Sequence, residues 1–190
     1  NDVGRQPVEV TPAMVAKTIK HLEKVGKRRD AVIIAVIYDT GIRSSELADL
    51  RVDEMDLDAA ILRLLVTKNH TVRPLHIGAN CVRLIDRYMR KRDMSRDLAP
   101  EYLLSGHRGK MTRAGIYDVV RDAFYAVGET RKISPHDLRH TSASEAAERL
   151  SESNMMELYG WKDSGMARHY TKLVRQRLAL EAHKAASPLD

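Results

Sequence analysis

With 190 residues, the chain is long enough for one domain with a substantial core and too short to support two independent ones. A composition of 43% hydrophobic and 31% charged residues suits a folded protein, and the longest apolar runs, such as AVIIAVIY, fall far short of the about 20 residues a membrane-spanning helix needs. A net charge of +6 and a pI near 9.5 favour a polyanionic partner, because each Lys or Arg that neutralises a phosphate releases a condensed counterion. The one cysteine, Cys81, excludes an internal disulfide, suits a reducing compartment and reads as a small buried side chain in ANCVRLIDRYM. The first residue is Asn1 and no leader-like pattern follows it, so the sequence reads as a piece of a longer chain.

Along the chain, EVTPAMVAKTIKHLEKVG has Thr11 as a helix N-cap, Pro12 at the first helical position and Gly26 as a stop, which leaves residues 1–10 as a linker. RRDAVIIAVIYDTG reads as a more fully buried helix that ends at Gly41. SSELADL reads as a short helix started by a serine cap. From AAILRLLVTK to VRPLHI the pattern turns β-rich. It predicts one antiparallel hairpin across the three-residue loop NHT, with Lys68 at the end of its first strand and no second sheet elsewhere. Helices are then expected over ANCVRLIDRYMRKRD, TRAGIYDVVRDAFYAVG and PHDLRHTSASEAAERL, the last capped by Ser134 with Pro135 just inside. Two shorter helices carry Met156 and Tyr170, and VRQRLALEAHKA forms a tail. The fold class is mainly α with a small antiparallel β-sheet, with no internal repeat.

Several residues could carry chemistry. Arg43 follows a glycine turn, and Glu46 lies one helical turn later, where its carboxylate can orient the guanidinium by paired hydrogen bonds. In SPHDLRHTSAS, His136, Arg139 and His140 fall at i, i+3 and i+4 and so share a helix face, which near a helix N-terminus suits an anion. HDLRH also has two histidines four apart, as in the HExxH zinc motif. Against zinc stand the shorter acid Asp137, the cationic Arg139 on the ligand face and the lack of a spaced third ligand. Lys68 alone reads as a solvated turn lysine. Tyr170 follows His169, but adjacent side chains diverge on a helix.

Taken in order, Arg43, Lys68, His136 with Arg139, Trp161 and Tyr170 make the sequence resemble the catalytic domain of the tyrosine recombinases, the phage integrase family. TGIRSSELADL looks like the first arginine box, VTKNHTVRPLHI like the lysine hairpin, SPHDLRHTSAS like the HxxR box and YGWKDSGMARHYTKL like the closing tyrosine segment, over about residues 11–175. The resemblance implies that fold. It implies that Arg43 and Arg139 clamp the scissile phosphate, that Lys68 is the general acid and that Tyr170 is the nucleophile, with His136 assisting and His140 nearby in support. Trp161 stands where most members have histidine; an indole keeps one N–H donor and has no acid/base capacity. Lys172 occupies a position where members often have a second histidine and is assigned no role.

The resemblance further implies a site-specific recombinase that needs neither metal, cofactor nor ATP and acts on double-stranded DNA. Residues 1–10 would link it to an upstream DNA-binding domain, 11–175 would be the catalytic domain, and the tail 176–190 could be exchanged between protomers of a tetramer on DNA. The isolated domain could be monomeric, accessory DNA-bending or directionality factors are compatible partners, and the location would be the cytoplasm of a bacterial or phage-infected cell. Two alternatives stay open. A type IB topoisomerase shares the fold and nucleophile, although TGIRSSEL and LRHTSAS look like the integrase branch; a non-catalytic DNA-binding module could also keep the fold.

Overall fold

A computed structural model describes residues 7–66, 71–106 and 108–186. Length led to one main domain, whereas the chain packs as two compact units, Asn1–Ser142 and Ala143–Asp190.

The first unit is built around a helix hidden on nearly every side. Helix α1 (Pro12–Lys24) starts where the sequence predicts, with the Thr11 hydroxyl accepting from the Met14 amide at 3.3 Å, and it buries Val15, Thr18 and Leu22. Helix α2 (Arg28–Thr40) buries every residue from Ala31 to Ile37. Five of those are β-branched, a run that by itself leans toward strand because χ1 freedom is lost against the preceding helical turn. Burial overrides that preference, since α1, α4 (Ala79–Lys91) and α5 (Arg113–Tyr125) all pack on α2. Gly41 then ends α2 at φ 60°, in the left-handed region that a side chain would disfavour.

Helix α3 (Ser44–Asp49) follows, and here the serine cap is corrected. Arg43 is the N-cap residue, and its amide donates to Glu46 Oε2 at 2.9 Å, so the third helical residue supplies the capping oxygen. A 3₁₀ turn (Val52–Glu54) leads into a three-stranded antiparallel sheet, β1 (Met55–Asp56), β2 (Ile61–Val66) and β3 (Thr71–His76), in the order β1-β2-β3. Leu62 faces Leu75 across the pairing and both are buried, while Leu65 and Val72 face each other on the outer surface. Pro74 is tolerated because β3 is an edge strand, where a missing N–H costs no ladder bond. The expected loop NHT and Lys68 overlap residues 67–70, outside the described residues. Sequence reasoning missed β1 and a second small sheet, β4 (Ser105–Gly106) with β5 (Gly109–Lys110).

Two aspartates tie elements together. Asp39, near the end of α2, accepts from the Gly78 amide at 2.7 Å, where Gly78 is the N-cap of α4. Cys81 is buried on α4, and burial pushes its thiol up, as expected of a packing cysteine. Arg92, just past α4, is buried with Asp97 as an ion pair and donates to the Tyr102 carbonyl at 2.6 Å and the Ala99 carbonyl at 3.0 Å.

The second unit begins inside α6 (Pro135–Ala146), whose first eight residues belong to the first unit. Helix α7 (Glu152–Tyr159) and helix α8 (Ser164–Ala185) follow. Tyr170 and the tail are thus on one 22-residue helix rather than a short helix and a separate segment. No helix among the described residues is long and apolar enough to cross a membrane.

The Arg92–Asp97 pair yields a stability prediction. Burial opposes Asp97's charge, but the Arg92 guanidinium, the Ala99 amide and the Ser105 hydroxyl outweigh it and hold its pKa down to about 2, from the usual 3.8. A depressed carboxylate contributes stability that is complete above its unfolded pKa and is lost as pH falls through its folded value. Asp97→Asn, by stranding the buried guanidinium, should cost about 3 kcal/mol or more at pH 7. Denaturant melts of both proteins should show the gap closing between pH 4 and pH 2; a gap independent of pH would disprove the assignment.

Candidate active site

The turn after α2 presents the first cluster. Because Gly41 takes the left-handed conformation, the chain reverses in three residues, and Arg43 leaves it with its guanidinium exposed. Arg43 Nη1 lies 3.0 Å from Glu46 Oε1, while Oε2 holds the Arg43 amide. The carboxylate therefore grips Arg43 by backbone and side chain at once. Glu46 Oε1 also lies 2.8 Å from Nη2 of Arg73, a residue that sequence reasoning passed over. Burial works against Glu46's charge, yet the Arg43 amide and the two nearby guanidiniums prevail and lower its pKa.

Helix α6 presents the second cluster, and its start is firmly built. Asp137 Oδ2 accepts from the Ser134 amide at 2.8 Å and the Ser134 hydroxyl at 2.6 Å, and Oδ1 accepts from the Val8 amide at 2.7 Å. Ser134 is the predicted cap. The role of Asp137 was not foreseen, although an acid three residues after a serine is the spacing of a capping box. The predicted i, i+3, i+4 face is realised, with His136 exposed and Arg139 and His140 half-buried. Arg139 Nη1 donates to the Gly41 carbonyl, which ties α6 to the turn that carries Arg43. Among the described residues no group of three or more His, Cys, Asp or Glu is gathered as a metal site would require.

The second unit holds the aromatic residues. Gly160 ends α7 at φ 61°, again left-handed, and turns the chain so that Trp161 returns over the helix it has just left. The Trp161 ring stacks on Tyr159 at 4.9 Å between centroids and on Tyr170 at 5.5 Å, the latter pair within 2° of parallel. Tyr170 is only 4% exposed, in a core with Ala143, Met155, Tyr159 and Ala167. Asp163 caps α8 by accepting from the Gly165 amide at 2.8 Å, and Thr171 donates to Glu152 of α7 at 3.0 Å. The stretch from Ser164 is therefore helical, and the link between α7 and α8 is short.

The residues singled out by sequence thus fall into two sets. Arg43, Glu46 and Arg139 meet around the Gly41 turn, with His136 and His140 on the same helix as Arg139. Trp161 and Tyr170 meet in the second unit. Lys68 lies outside the described residues.

Comparison with known proteins bears on the family and the fold. The phage integrase family profile matches residues 9–177. The tyrosine recombinase XerC of Staphylococcus carnosus is 28% identical over 163 residues, which cover 83% of this chain and 55% of that protein. The crystal structure of XerA recombinase superposes with a TM-score of 0.81 at 24% identity, covering 97% of this chain and 66% of that one. XerH site-specific recombinase, in a post-cleavage complex with a palindromic difH substrate, superposes with a TM-score of 0.74 at 22% identity over 96% of this chain and 53% of that one. The chain spans about half the length of the curated relatives it matches. With a family match over most of its length and the arginine and tyrosine boxes in order, the chain belongs to the phage integrase family, the tyrosine recombinases, and has the fold of their catalytic domain.

Proposed function

We propose that the chain is the strand-cleaving part of a site-specific DNA recombinase. The observation that carries this reading is the joining of two arginine-bearing elements at one turn. Arg139 donates to the carbonyl of Gly41, and Arg43 lies two residues further on, held by Glu46. Two guanidiniums, charged at every physiological pH, suit the non-bridging oxygens of a phosphodiester and supply electrostatic stabilisation as the charge on those oxygens develops.

In the proposed step the Tyr170 phenol gives up its proton to a base as its oxygen attacks phosphorus, the bond to the 5′ oxygen breaks and Lys68 donates the proton that this oxygen needs. His136 assists in phosphate binding and proton handling, and His140 supports it. The product is a 3′-phosphotyrosine. Attack by the 5′ hydroxyl of another strand reverses the ester exchange, so the number of phosphoester bonds is conserved and no ATP is required. Because Tyr170 is buried against Trp161, the phenol must leave the stack to react. Trp161 holds it until then, and its indole N–H is the donor it can offer a phosphoryl oxygen. Double-stranded DNA is the partner. Four copies act together on it, with the C-terminal part of α8 as the contact between copies and accessory DNA-bending or directionality factors setting the outcome.

Covalent adducts mapped on a library of nicked duplexes test the reading. The chain should trap DNA, whereas Tyr170→Phe should bind DNA and trap none; trapping that survives this change would sink the proposal. Arg43→Ala and Arg139→Ala should each lower the cleavage rate by about 10²- to 10³-fold while weakening DNA binding only modestly. Relaxation of supercoiled DNA without sequence preference would point instead to a topoisomerase.

The tail has its own test. Removal of residues 175–190 should leave the protein's elution unchanged without DNA and reduce the higher-order complexes that form on it. Unchanged complexes would mean that the tail packs within its own chain.

A further inference from the structure

Arg73 sits on β3 opposite Leu64, on the sheet face that also carries Leu75. Its side chain is 10% exposed, against 43% for Arg43. A guanidinium in such a place is costly unless it is paired. Its partner is Glu46, through the 2.8 Å approach of Nη2 to Oε1, a contact of charge rather than an aligned hydrogen bond. One carboxylate therefore bridges two arginines, Arg43 on the turn and Arg73 on the hairpin.

The charge balance gives this bridge a consequence. Arg43 and Glu46 alone would form a neutral pair, in which the carboxylate cancels much of the attraction that Arg43 exerts on an anion. With Arg73 added, the three residues carry a net +1, and Glu46 is shared between the buried arginine and the more exposed one. At the short separations and reduced dielectric of such a cluster, one unit of charge is a strong influence on a bound phosphate.

We propose that Arg73 is a positioning residue for DNA cleavage: by sharing Glu46 it fixes Arg43 and keeps the cluster cationic, without itself touching DNA. The inference rests on the reading of Arg43 as a phosphate clamp. It adds a residue from the hairpin's inner face to the machinery that grips the phosphate. Because the contact to Oε1 is one of charge, an ammonium can serve there in place of the guanidinium.

Single-turnover cleavage of a nicked duplex at saturating protein provides the test, with thermal melts and DNA affinity measured alongside on the full 190-residue chain. Arg73→Gln should slow cleavage by about tenfold or more, with DNA affinity changed by less than about threefold and the melt little moved. Arg73→Lys should recover most of the rate. In a Glu46→Gln background, where there is no carboxylate to share, Arg73→Gln should cost little further. Arg73→Met supplies the same neutralisation with a side chain suited to a buried face, should Arg73→Gln melt early. Cleavage by the neutral variant at the normal rate would overturn the proposal, as would an Arg73→Lys protein as slow as Arg73→Gln or a loss confined to DNA affinity. Arg43→Ala run in parallel separates the two levels. If it cleaves normally, the clamp reading fails and this inference with it; if it is inactive while Arg73→Gln is normal, only the role of Arg73 fails.

Discussion

Burial of α2 is the constraint on which the first unit depends. A helix holding Val32, Ile33, Ile34, Val36 and Ile37 keeps its form because α1, α4 and α5 surround it, so packing and not propensity fixes where it ends. That end is the turn where the arginines meet. Gly41 reverses the chain, its carbonyl receives Arg139, and the next two residues deliver Arg43 to Glu46. Asp39, two residues before Gly41, simultaneously holds the start of α4. A rigid buried rod thus serves as the datum for the arginines, in the manner expected of a site whose geometry must hold to fractions of an ångström.

The second unit works on a different principle. Its core is small and aromatic, and the candidate nucleophile is one of its members. Tyrosine here has two roles that cannot be filled together, since the ring that stacks on Trp161 is the ring that would attack phosphorus. Stacked aromatic pairs contribute about 0.5–1.5 kcal/mol beyond the area they bury, which sets the scale of the cost of breaking this one. Replacement of the family's usual histidine by Trp161 therefore has an effect beyond the loss of an acid/base group, because an indole offers a wider face for that stack.

Much of this was legible in the sequence where local signals are strong. Thr11, Pro12 and Gly26 mark α1, Gly41 marks the end of α2, and the Arg43 to Glu46 spacing discloses their contact. The features that escaped share a physical cause. Strands of two residues, such as β1, β4 and β5, are too short to show alternation. Asp163, Ser164 and Gly165 look like a turn, yet the aspartate caps a helix in whose first turn a glycine is tolerated. Nothing in the local sequence singles out Arg73, and only its register against Leu64 reveals that it lies on the inner face with Glu46 as a neighbour.

The continuity of α8 has a mechanical meaning. At 1.5 Å per residue its 22 residues form a rod about 33 Å long. Tyr170 lies near its buried end, while Leu178 and Leu180 stand 51% and 72% exposed toward the other. A helix transmits rotation about its axis almost without loss over that length, since twisting it would strain every backbone hydrogen bond in between. The exposed leucines and the buried Tyr170 therefore belong to one continuous hydrogen-bonded rod and not to two hinged segments.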